Sequence, residues 1–227
     1  MERLYTAVGR FERKNTDNGT YPVIIVNGKE RMVGLTEMII WACCCWRILN
    51  QTRLEELVGK KLREGGVENC EMTEIVNRLL TRGLIVSGIG DNEAEALYSL
   101  LSGLYIIPVV SGLLMKTLVF LKVVFARGIP FNRARAVFKR EALSDRERRV
   151  VNLARQTTLS TAELIKCVEL GVYDLSSNEK VMDALYDDDF TTCDNITEYA
   201  MFFKQRLPVL EVVANLYLRK LILFDVI

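Results

Sequence analysis

The chain has no histidine, only four prolines and two tryptophans, and a net charge of just +1 over its 227 residues. Without imidazole, the commonest general base and the commonest metal ligand are both missing. A serine or cysteine nucleophile would need an unusual base, so the composition reads as that of a protein that is not an enzyme. The small net charge makes no global electrostatic claim on nucleic acid or on an anionic membrane; charge has to be sought locally. The six cysteines follow neither a zinc spacing nor a disulfide framework, because Cys43, Cys44 and Cys45 are consecutive and Cys70, Cys167 and Cys193 stand alone. Reduced, mostly buried thiols in a cytoplasmic protein are the plain reading. No metal and no cofactor is expected. The acidic triplet at 187–189 lacks the spacing of a calcium loop, and Gly88-Ile-Gly90 lacks the third glycine of a dinucleotide fingerprint. A solvated loop and a turn before a capped helix explain them.

What is abundant is apolar surface: half of the residues are hydrophobic, enough for two modest domains with a core each. The opening MERLYTAVGRFERK mixes both charge signs and lacks the apolar centre of a signal peptide. Residues 104–126 form the long apolar run. It carries Lys116 and Lys122, and a lysine at the centre of a membrane span costs about 3 kcal/mol. A buried central helix, apolar on all sides, is expected there instead of a span.

The most informative pattern is a repeat. TEIVNRLLTRGLIVSGI at 73–89 returns as LEVVANLYLRKLILFDV at 210–226, a constant 137 residues later. Val76/Val213, Leu79/Leu216, Arg82/Arg219, Leu84/Leu221 and Ile85/Ile222 are identical. Each copy places apolar residues at helical spacing, a basic residue where the helix ends, and then a short extended run. Upstream of the first copy, the sequence predicts strands at 5–11 and 21–26, a tight Asn27-Gly28 turn with φ > 0 at both positions, and a strand at 30–33. Helices follow at 37–49, with Thr36 as a possible cap, and at 53–63, ending at Gly65-Gly66. The first copy itself predicts a helix at 71–81 and a strand at 84–87. Further on, the pattern predicts an apolar helix at 109–127 and a basic one at 132–141. Ser144 can cap a helix running to 156, and 160–165 echoes 53–58 through Glu56/Glu163 and Leu57/Leu164. After an insertion at 172–195 come helices at 197–205 and around Pro208, then a closing strand at 221–226.

This order resembles the winged helix-turn-helix superfamily, present in tandem. The first unit is also loosely similar to the small hairpin-plus-trihelical domains that present precursor peptides to peptide-modifying enzymes, through its hairpin, its Leu35-Thr-Glu-x-x-x-Trp41 helix, its Glu55-Glu-Leu-Val58 helix and its closing Glu74 to Ile85 segment. The expected fold class is mainly α with small β-sheets (α+β). Two winged-helix-like units, 1–103 and 131–227, are joined by an apolar helix within 104–130.

Most winged-helix proteins regulate transcription, so the resemblance implies DNA binding. The helix that would read bases begins with Glu68, Asn69, Glu71, Thr73 and Glu74, whose carboxylates repel phosphate; Asn77, Arg78, Thr81 and Arg82 lie further along. Nine basic residues stand against three acidic ones between 127 and 155. Arg133, Arg135, Lys139, Arg140, Arg148 and Arg149, with Arg78 and Arg82, are the candidate DNA contacts, although solvated helix faces give the same pattern. The expected function is a non-enzymatic DNA-binding regulator, a homodimer through the apolar face from Leu113 to Phe125, with no membrane partner. The alternative is a protein- or peptide-binding adaptor on the same fold, favoured by the acidic and apolar final helices.

Overall fold

The computed structural model describes residues 1–16, 19–66, 71–109, 142–188 and 190–227. The helices expected at 109–127 and 132–141, and the dimer face at 113–125, lie outside the described residues except for Val109 itself. Among the described residues the protein is mixed α and β, with nine helices and three small antiparallel sheets.

The chain enters as β1 (Glu2–Ala7), followed by a separate sheet of β2 (Arg10–Thr16), β3 (Gly19–Val26) and β4 (Lys29–Met32) in that spatial order. The sequence predicts one strand from 5 to 11. Instead the backbone kinks at Gly9, where φ is +83° and an added Cβ would lie 2.4 Å from the Ile25 carbonyl oxygen, so only glycine lets β1 turn into β2. Asn27 and Gly28 both take positive φ, as the two-residue turn requires.

Next come α1 (Leu35–Cys44), the two-residue β5 (Leu49–Asn50), α2 (Gln51–Glu64), α3 (Met72–Thr81), β6 (Ile85–Gly90) and α4 (Glu93–Leu101). Helix α1 starts from Gly34, not from a Thr36 cap, and stops at Cys44 although its apolar run continues to Leu49. Trp46 takes φ +54°, its N–H donates to the Tyr217 hydroxyl at 2.9 Å, and Leu49 pairs with Tyr5 in β1. Asn50 then caps α2 by accepting from the Arg53 N–H.

The remaining elements are β7 (Tyr105–Pro108), α5 (Asp145–Gln156), β8 (Leu159–Ser160), α6 (Thr161–Glu169), α7 (Asn178–Tyr186), α8 (Ile196–Ala200), α9 (Arg206–Leu218) and β9 (Ile222–Asp225). Residues 105–108, placed by the sequence reading in the connecting helix, form a strand because β7 is held on both sides by β8 and β9. The inserted segment contains α7, and the helix expected at 197–205 is the shorter α8.

Two of the sheets share one plan. Their spatial orders are β5-β1-β6 and β8-β7-β9, so in each the earliest strand is central, a two-residue strand lies on one side and the strand after the repeated helix lies on the other. The register carries the 137-residue spacing, since Ala7 faces Ile85 and Pro108 faces Ile222. One hydrophobic core runs through both halves.

The halves are joined by polar groups as well. Tyr217, buried on α9, shares a 3.0 Å hydrogen bond with the fully buried Thr6 hydroxyl and accepts the Trp46 N–H. The Trp46 indole donates to the Ile222 carbonyl at 3.3 Å, and the Gly9 N–H to that of Phe224 at 2.8 Å. Tyr217→Phe leaves these buried partners short of one group and is expected to lower stability by about 2 kcal/mol. A denaturant midpoint equal to that of the parent would show that the joint contributes nothing.

Candidate functional site

In each half a glutamate in the first turn of one helix is clamped to the end of another. Glu37 accepts from the Gly34 N–H at 2.9 Å and from Arg82, the residue after α3, at 2.9 Å; the same guanidinium donates to the Met32 carbonyl. Glu147 accepts from the Ser144 N–H at 2.8 Å and from Arg219, the residue after α9, at 2.6 Å, and Arg219 also donates to the Ala142 carbonyl at 3.1 Å. Burial alone would raise the pKa of each carboxyl, but the backbone N–H and the arginine outweigh it and leave both below the ordinary glutamate value. Arg78 adds a second cation 2.9 Å from Glu37.

The clamps decide what the predicted DNA contacts are occupied with. Arg78 and Arg82 both serve Glu37. Arg149 lies 4.1 Å from the Tyr173 ring centroid and donates to the Cys167 and Val172 carbonyls, tying α5 to the loop after α6. Arg148 is exposed and pairs with Asp145 one turn away. Arg133, Arg135, Lys139 and Arg140 lie outside the described residues.

Beside the Glu37 clamp lies an open edge. β4 pairs only with β3, and among the described residues no strand covers its outer side. In a two-residue hairpin the residues closing the turn bond across to each other; since Val26 faces Lys29, the main-chain groups of Glu30 and Met32 point outward, and because Arg82 takes the Met32 carbonyl, the groups left for an added strand are both of those of Glu30 and the Met32 N–H. Met32 and Leu35 are 65% and 69% exposed, and a depression of about 280 Å³ runs from Leu35 and Thr36 to Ile75 and Arg78 on α3. An unpaired edge next to exposed apolar side chains can accept an added strand. Sequence reasoning missed this site, because Met32 and Leu35 read as ordinary apolar residues beside Val33-Gly34 and their exposure depends on the fold. A larger cavity opens elsewhere, between α1, β2 and β9.

Lys166, 4% exposed, donates to the Leu185 carbonyl, to Asp188 and to the Thr191 hydroxyl, so the acidic segment is held by a buried lysine. Among the described residues no three acidic or thiol groups are placed to share a metal, and no helix is long and apolar enough to cross a membrane. Burial pushes the Cys44 thiol up to about 12 and that of Cys45 to about 11, which keeps both protonated at neutral pH. Gly88 and Gly90 lie within strand β6, packed against α4, instead of forming a turn. Comparisons of the chain with models of known protein families, with curated proteins and with solved structures found no match.

Proposed function

We propose that the chain is a non-enzymatic, cytoplasmic adaptor built from two winged-helix-like units, and that the first unit binds an extended polypeptide along the outer edge of β4. The reading rests on the open β4 edge, where the outward main-chain groups of Glu30 and the Met32 N–H adjoin the exposed side chains of Met32 and Leu35 and the α3 face. The repeated strand order and the twofold glutamate–arginine clamp support the tandem arrangement. The missing histidine and the raised thiols support a role without catalysis.

The test is selection of peptides from a displayed random library, followed by affinity measurements on Glu30→Pro. Proline removes the outward N–H while leaving the β3–β4 ladder its bonds. At least a tenfold loss of affinity, with little dependence on salt, is expected. Failure to select any peptide, or undiminished binding by the proline variant, would refute the site.

Regulation of transcription is the second reading, in which Arg148 and Arg155 and the intervening Asn152, all exposed on one face of α5, continue the basic stripe along a phosphate backbone. It requires duplex binding that weakens steeply with salt and is lost when Arg133, Arg135 and Arg140 are changed together to alanine.

A further inference from the structure

A cavity of about 670 Å³ lies on another side of α1 from the β4 edge, in the seam where β9 meets the first hairpin. That volume falls within the range of small-ligand sites. Its walls are Trp41, Trp46, Met38, Phe11 and Leu223. Both indole N–H groups are already used inside the protein, Trp41 on the Val8 carbonyl at 3.0 Å and Trp46 on that of Ile222; Trp41 is 4% exposed, so the ring surface open to a ligand is chiefly that of Trp46. Among the described residues the charged lining is of one sign: Arg10, Arg47 and Lys220 line the cavity and no carboxylate does, while Cys45 keeps its proton and offers no nucleophile.

The placement of these cations is specific. Arg47 spends one nitrogen on the Cys43 carbonyl, and Arg10 makes an exposed pair with Glu12 on its own strand. Lys220 lies over the Trp46 ring at 5.4 Å, and among the described residues no carboxylate is within ion-pair distance of it or of Arg47. Lys220 also holds φ +62°. Its counterpart in the first repeat is Gly83, at φ +65°, where the left-handed backbone is free of strain. The second repeat thus places a lysine where glycine is the easier residue, at the mouth of an aromatic cavity in which no described residue supplies a counter-charge.

We propose that this cavity binds an aromatic carboxylate of two or three rings, its rings against Trp41 and Trp46 and its carboxylate between Lys220, Arg47 and Arg10. Stacking on indole and charge-assisted hydrogen bonds to the cations supply the recognition. The site is separate from the β4 edge and does not depend on it.

Trp41 and Trp46 are the two tryptophans of the chain, so the indole N–H signals of an ¹⁵N-labelled sample report on this cavity alone. The probe is 2-naphthoate, with 2-naphthamide as its uncharged counterpart. Both indole signals are expected to shift saturably with naphthoate, and naphthamide to bind at least tenfold more weakly. In Arg10→Gln/Lys220→Gly, where glycine restores the residue of the first repeat, naphthoate should lose at least tenfold in affinity, with the rest of the spectrum showing a folded protein. Absence of saturable shifts at millimolar naphthoate, equal affinity for naphthamide, or an unchanged affinity in the folded double variant would each overturn the proposal.

Discussion

Gly88→Ala is expected to destabilise the protein by about 3 kcal/mol or more, enough to remove much of the margin of a typical domain. A Cβ at Gly88 would lie 2.2 Å from the Leu100 nitrogen and 2.4 Å from the Ala96 oxygen, both main-chain atoms of α4 that cannot rotate aside. Strand and helix would have to part, uncovering Leu100 and Leu101, which are buried beneath. Gly103→Ala is the control, because nothing lies within 4 Å of its would-be Cβ; its denaturant midpoint should barely move. Equal midpoints for the two variants would show that α4 does not rest on β6 through these backbone atoms.

The second large effect is an asymmetry between the two clamps. Arg219→Ala removes the one arginine that, among the described residues, pairs with Glu147, whose side chain is only 11% exposed, and should cost about 3 kcal/mol. Arg82→Ala should cost less than half as much, because Arg78 still lies 2.9 Å from Glu37. Equal losses would mean that Arg78 does not stand in. The pH dependence has a fixed sign. Each glutamate is held below its ordinary value of 4.5 in the folded protein, so its contribution is complete above that pH and is withdrawn as the pH falls toward the lower folded value. Glu147→Gln should therefore lose less stability than the parent on acidification from pH 6 to pH 3, as followed by thermal unfolding.

Helices and strands with their own periodicity were legible in the sequence, and so was the spacing that aligns Arg82 with Arg219. The meaning of that arginine was not. A cation where a helix ends reads equally well as a phosphate contact or as an internal clamp, and the choice depends on Glu37 and Glu147, which lie 45 and 72 residues away along the chain. The end of α1 was hidden for the same reason, since the group that takes the Trp46 N–H belongs to Tyr217. Two-residue strands such as Leu49–Asn50 have no period to detect. Gly88 and Gly90 read as a turn because glycine marks both bends and close backbone approach, and only the position of α4 tells the two apart. The β4 edge was legible as a hairpin strand, but its openness is a property of what does not pair with it.

The join made by Thr6, Gly9 and Trp46 with Tyr217, Ile222 and Phe224 sets an order of events during synthesis. A ribosome releases the first half before α9 and β9 exist, so the nascent chain must hold a buried-to-be threonine hydroxyl and the wall of an aromatic cavity open to solvent until those elements have been made. Contacts separated by as much as the 211 residues between Thr6 and Tyr217 form slowly, and exposed apolar surface during such a wait favours aggregation and engagement by chaperones.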